Sequence, residues 1–157
     1  MSVMNSRRLQ TGSTLIEILV AVTIIALVLT AVSAMIFMSI KLADSNEKQQ
    51  LALQKAEEAL EFFRKERAIW SWTAFSTPLV DLSTYCMSSL PESVASISAQ
   101  LGECGDEDVL EAARYSFKRQ ATVTFESANR LNVEIEMLWT DGTKAKNLVL
   151  DQQFENY

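Results

Sequence analysis

From Leu15 to Ile40 the chain runs for 26 residues with a single charge, Glu17. As a helix at ~1.5 Å per residue, such a run reaches roughly 39 Å, longer than the ~30 Å hydrocarbon core of a bilayer. No other feature limits the fold as strongly. A membrane-spanning helix is the direct reading. Thr23, Thr30, Ser33 and Ser39 interrupt the run, yet each hydroxyl can return its hydrogen bond to the helix backbone. Glu17 is harder to accommodate. A carboxylate inside a membrane helix costs on the order of 3 kcal/mol. Its place near the positive end of the helix lowers that cost. It is either an interfacial residue reaching headgroup water or a carboxylate kept for a specific cationic partner.

The flank bears on that choice. Residues 1–12 are short and polar, Arg7 and Arg8 are their only charges, and Gly12 comes last. A secretory signal peptide would place its cleavage site after the apolar run. Here the apolar character continues into Phe37 and Ile40, with no small-x-small site followed by a polar start. A short basic leader, Gly12, then Ser13-Thr14-Leu15-Ile16-Glu17 and an apolar helix resembles the type IV prepilin signature. The resemblance covers Arg7 to about Ser39. It implies that a prepilin peptidase cuts after Gly12 and that Ser13 becomes the new, N-methylated terminus. Glu17 would then match the family's fifth-position glutamate, which neutralises the Ser13 amine when helices pack in a filament. The family usually has Phe where Ser13 stands, but cleavage mainly needs the Gly.

The same resemblance implies partners: other pilin subunits, the prepilin peptidase and an inner-membrane assembly platform, with the membrane holding the chain before assembly. Major pilins usually carry a Gly and a Pro within this helix. The matching positions here are Ala26 and Ala34, which predicts an unbroken helix and a minor subunit. Glu17 argues against the very tip of a filament.

From Lys41 onward there are 12 Lys and Arg against 19 Asp and Glu, a net charge of −7. Such acidity argues against a nucleic-acid surface, which needs clustered cations. The chain has no His, which removes the commonest general base and the commonest metal ligand. Gly-rich phosphate loops are absent as well. The reading is a structural protein, not an enzyme, with no cofactor. Glu103, Asp106, Glu107 and Asp108 surround Gly105 and offer oxygens that suit Ca²⁺. They lack the spacing of a calcium loop, so a solvated acidic turn is the favoured account. No metal site is expected.

Arg7 and Arg8 place the N-terminus in the cytoplasm by the positive-inside tendency. Everything after Lys41 then lies outside, where thiols oxidise. Cys86 and Cys104, the only cysteines, are expected to form a disulfide. The alternative is two unpaired thiols in a reducing compartment. The expected localisation is the inner membrane as a single pass, then a cell-surface or periplasmic filament.

The organisation follows from local pattern. No Gly or Pro occurs between Ser13 and Thr77. The helix is expected to continue to about Ala68–Trp72. Its second half carries a stripe of Leu53, Ala56, Leu60, Phe63 and Trp70, interrupted by Arg67. Asp44–Lys48 and Glu61–Lys65 have the spacing of favourable pairs. Residues 73–112 hold both cysteines and both prolines and show little periodicity. A short helix is possible from Glu107 to Ala113 and a short strand around residues 95–101. Of Trp70 and Trp72, one is expected to pack under a sheet and the other to be partly exposed.

A sheet signal follows. Tyr115, Phe117, Ala121, Val123 and Phe125 alternate with polar residues, and Arg119 breaks that face. Leu131, Val133, Ile135, Met137 and Trp139 alternate next. Asp141-Gly142 signals a hairpin, and Leu148, Leu150 and Phe154 lie on a third strand. The fold class is α+β: a long N-terminal helix packed on a small antiparallel sheet. The Trp139-Thr140-Asp141-Gly142 ending and the strand after it resemble the C-terminal sheet of minor pilins and secretion pseudopilins. The expected divisions are a leader at 1–12, a transmembrane or filament-core helix at 13–40 and its amphipathic continuation at 41–72. A disulfide-bearing loop at 73–112 and a β-meander at 113–157 complete them. Two other functions stay open: a type II secretion pseudopilin, and a single-pass membrane protein with an extracytoplasmic ligand-binding domain.

Overall fold

The computed structural model describes residues 11–156, and side chains from Thr14 onward. Arg7, Arg8 and most of the expected leader lie outside the described residues. One helix, α1, runs from Thr11 to Ile69. The long absence of Gly and Pro is its local cause, since no residue in that span breaks a helix cheaply. The chain divides into two compact units, residues 1–44 and residues 45–157. The expected boundary at 40/41 falls a few residues earlier.

In the second unit the rest of α1 is followed by α2 (Trp72–Ser76), which Ser71 caps by accepting the Ala74 N–H. So α1 stops at Ile69 and Trp72 opens a new helix instead of ending the old one. Pro78 lies just beyond the end of α2. Strand β1 (Ser83–Cys86), a 3-10 helix (Val94–Gln100) and β2 (Leu110–Ala112) come next. Three long strands complete the unit: β3 (Tyr115–Ser127), β4 (Arg130–Asp141) and β5 (Lys144–Glu155). The sheet order is β1-β3-β4-β5, all antiparallel, with β2 pairing the start of β3. Fold class and meander are as the sequence predicts.

Several local expectations change. Residues 107–113 are not a helix. Leu110–Ala112 folds back on Tyr115–Phe117 as a tight hairpin, with Ala113 at φ +55°. The segment around residues 95–101 is a 3-10 helix and not a strand. Val94 and Ile97 are its buried residues, and a spacing of three is the period of that helix. The last hairpin pairs Asp141 with Lys144, so its loop residues are Gly142 and Thr143, one position later than the Asp-Gly signal suggests. Gly142 takes φ +64° at the first loop position, where a side chain would be strained.

The core lies between α1 and the sheet. The helix face it uses is Ala52, Ala56, Ala59, Leu60 and Phe63, joined by Glu66. Leu53 and Trp70, expected in that stripe, are exposed instead. Weighting the largest apolar residues turned the expected face. Three alanines leave room for larger side chains from the sheet, among them Phe117, Ile135 and Met137. Lys48 bonds Asp141 at 2.9 Å, and Glu61 pairs with Arg64 rather than Lys65. Trp72 packs beside the core and donates to the Ala128 carbonyl at 2.9 Å.

Arg119 does not break the inner face of β3. It sits on that face, 1% exposed, between buried Phe117 and Ala121. Its guanidinium donates to the carbonyls of Met87 and Lys55 at 2.8 and 2.9 Å, tying β3 to the cysteine loop and to α1. Burial pushes its pKa down, and the Glu58 carboxylate works against that. Glu66, also buried, accepts the Val94 N–H at 2.6 Å and the Trp70 indole N–H at 3.1 Å. It joins α1 to the start of the 3-10 helix.

Candidate functional site

The candidate site is the first part of α1. Every residue from Thr14 to Ala43 is exposed. The surface is apolar all round, with Leu27 at 69% and Phe37 at 74% exposure. A helix that is apolar on every side is stable only in lipid or among other helices. By length and composition, α1 is able to cross a membrane. Its hydroxyls behave as expected. Thr23 and Thr30 donate to the carbonyls of Val20 and Leu27, and Ser33 and Ser39 to those of Leu29 and Met35, at 2.8–2.9 Å. Each of these four hydroxyls is thus satisfied inside its own helix, which removes the main cost of placing it in hydrocarbon.

Gly12 and Ser13 lie in the first turn of α1, and Glu17 lies one turn further on. Positions four apart share a helix face. The backbone therefore sets Ser13 and Glu17 on one side, a turn apart. Glu17 is exposed and lies beyond the first turn, where the field of the helix's positive end has largely decayed. Ala26 and Ala34 continue the helix without a break.

Cys86 and Cys104 form a disulfide that closes a loop of sequence separation 18. They belong to the second unit and take no part in the helix site. On the chain-entropy argument, such a loop stabilises the fold by about 3 kcal/mol. The acidic residues around Gly105 do not converge. Asp108 accepts the Gly105 N–H and Asp106 binds Lys118, and no metal-holding group of His, Cys, Asp or Glu occurs among the described residues. Sequence reasoning missed Glu66 and understood Arg119 only as an interruption. The signal for Arg119 was present: it stands at the inward parity of an otherwise apolar strand.

A long apolar N-terminal helix leading into a small antiparallel sheet is an α+β, pilin-like fold. Residues 7–33 match the family model described as the prokaryotic N-terminal methylation motif, the hallmark of type IV prepilin-like proteins. No curated protein and no solved structure matches the chain. The motif suggests a pilin-like or pseudopilin protein, with peptidase processing and assembly alongside other pilins. The apolar helix and the motif together are consistent with single-pass anchoring in the inner membrane.

Proposed function

We propose that this chain is a minor structural subunit of a type IV pilus or pilus-like filament, cut after Gly12 and assembled through its N-terminal helix. One observation carries the reading. From Thr14 onward, the methylation motif at residues 7–33 overlaps a helix segment that is exposed throughout and apolar except for Glu17 and a few hydroxyls. In this reading residues 1–12 are the leader, and the peptidase exposes the Ser13 amine. The chain then leaves the bilayer at an inner-membrane assembly platform. Glu17 neutralises the Ser13 amine of its own or a neighbouring chain, because a buried carboxylate is tolerable only when paired. A non-closing contact repeated between subunits yields a filament. The protein is a substrate of an enzyme and itself structural.

Minor status rests on Ala26 and Ala34. An unbroken helix is stiff, and that suits a priming complex better than a subunit repeated along a flexible fibre. A type II secretion pseudopilin shares every one of these features and is the second reading. The test is the mass and N-terminal sequence of the mature protein. Cleavage gives a chain starting at Ser13, and Gly12→Leu leaves the leader attached because the side chain blocks the site. A wild type that keeps residues 1–12 favours a single-pass membrane protein instead, and a Gly12→Leu protein that still begins at Ser13 contradicts cleavage by a prepilin peptidase. Quantitative mass spectrometry of sheared filaments tests minor status, with a copy number far below that of the main subunit expected.

A further inference from the structure

The unit from residue 45 onward carries two grooves of opposite charge that share no residue. The first has a volume of about 580 Å³ and lies where the start of β3 meets the end of β4. Lys48, Arg114, Lys118 and Lys146 line it together with Tyr115 and Trp139, and no carboxylate does. The cations are arranged, not loose. Lys48 is held by Asp141, Arg114 by Glu47 and Lys118 by Asp106, at 2.8–2.9 Å. The Lys48 ammonium also lies 5.2 Å from the centre of the Tyr115 ring. The Arg114 and Lys118 pairs lie at the wet surface, where ion pairs are weak and exchange partners readily, whereas the Lys48 pair is largely buried and fixes that end of the groove.

The second groove follows the outer face of α1 and has a volume of about 1000 Å³. Glu57, Glu58, Glu61, Glu92 and Asp151 line it against the two cations Arg64 and Lys65. Glu57 and Glu61 are both exposed and stand four residues apart, the spacing at which like charges on a helix repel. Within one copy Glu58 pairs with Lys55 at 2.7 Å and Glu61 with Arg64 at 3.4 Å, which still leaves this face with more carboxylates than cations.

We propose that the basic groove of one copy receives the acidic α1 face of a second copy, with Glu57, Glu58 and Glu61 meeting Lys118 and Lys146. Charge decides the pairing. Residues from Lys41 onward carry 12 Lys and Arg against 19 Asp and Glu, so two copies repel over most of their surface. Opposite potentials meeting at one place fix register and suppress other approaches. Tyr115 and Trp139 supply the aromatic anchors that the centre of such a contact requires. The two surfaces differ, so the contact is heterologous and leaves one groove and one acidic face free at the ends of a pair. This goes beyond the function proposed above, because it concerns the outer unit and holds whether or not the leader is removed.

The test uses the full-length chain in lipid vesicles, mixed from ¹⁴N- and ¹⁵N-labelled copies and treated with a zero-length carbodiimide cross-linker. Mixed-label links from Lys118 or Lys146 to Glu57, Glu58 or Glu61 are expected. Arg114→Glu keeps the linking amines and should lower these links several-fold, while Lys118→Glu with Lys146→Glu removes the amines and serves as the blank. Mixing that variant with Glu57→Lys plus Glu61→Lys copies should restore links between the reversed positions. The intact Cys86–Cys104 peptide in the same digest reports folding. Links confined to one label, links that ignore charge reversal, or failure of the swapped pair to restore them would overturn the proposal. Lys118 or Lys146 linked instead to carboxylates outside the acidic α1 face would mean that another anion fills the groove, which overturns it too.

Discussion

Phe37 and Phe63 stand on the same helix, yet one is 74% exposed and the other is fully buried. The difference lies in what surrounds each. Around Phe37 the helix is apolar on all sides, so no rotation hides its surface from water; lipid or other helices must do so. Around Phe63 it is amphipathic, and one face meets the sheet. The polar groups differ in the same way. In the first region Thr23, Thr30, Ser33 and Ser39 bond only to their own helix. In the second, Lys48, Glu66 and Arg67 reach across to Asp141, the Val94 N–H and the Glu155 carbonyl. One stretch of helix has an apolar surface that lipid or other helices must cover, while the other holds a fold together in water. Changes in the first should therefore alter location and assembly at constant fold stability. Changes in the second should do the reverse.

Glu17 offers the largest effect beyond processing itself. Glu17→Val makes the helix more apolar and removes on the order of 3 kcal/mol of insertion cost, so the protein stays in the bilayer. On the proposed function, entry into filaments should fall at least tenfold, because the Ser13 amine would lack an anionic partner. The thermal midpoint of the second unit, read by tryptophan fluorescence, should not move. Wild-type incorporation of the Val variant would show that the carboxylate is not needed for docking. A shifted midpoint would break the separation of roles.

Cys86→Ser comes next. Opening the 18-residue separation should cost about 3 kcal/mol of stability. Processing at Gly12 should be unaffected, and the midpoint should drop by 10 °C or more. Arg119→Ala should cost about 2 kcal/mol, since it leaves the Met87 carbonyl without its donor and vacates a packed site. Arg119→Met should cost less than the Ala variant, because it keeps the apolar stem and removes a buried charge. Equal losses for Ala and Met, in thermal unfolding of the full chain, would mean that the charge itself and not the packing is what matters.

How much of this was legible beforehand depends on the length scale of the signal. The helix from Thr11 to Ile69 and the three long strands were readable because each repeats one period over ten residues or more. The segment from Thr77 to Leu110 was not. Its elements are four to seven residues long, and their shape is set by the Cys86–Cys104 link, by Glu66 holding Val94 and by Arg119 holding Met87. Those ties come from residues distant in sequence, so no local window contains them. The buried face of α1 was misread for a related reason: Ala52 and Ala59 carry little hydrophobic signal, and only the sheet opposite reveals that they point inward. The N-terminal motif was legible because all of it lies within one short stretch, residues 7–33.

The smallest effect belongs to Asp106, at the wet end of the comparison. The Lys118 ammonium, 2.8 Å away, holds the Asp106 carboxyl below its ordinary 3.8, first by the hydrogen bond and then by charge. The sign follows from linkage. A carboxyl whose folded pKa lies below its unfolded value adds stability above 3.8 and loses it as pH falls through the lowered value. Asp106 is fully exposed, so water screens the pair and the gain is slight. Following the Asp106 carboxyl by NMR should show a depressed midpoint that returns to about 3.8 in Lys118→Met. The thermal midpoint at neutral pH should stay within error of wild type, unlike that of Arg119→Ala. Both cations lie on β3, one residue apart and on opposite faces of the strand. If Lys118→Met destabilised the fold as much as Arg119→Ala, burial would not be what separates a structural cation from one held only by a screened surface pair.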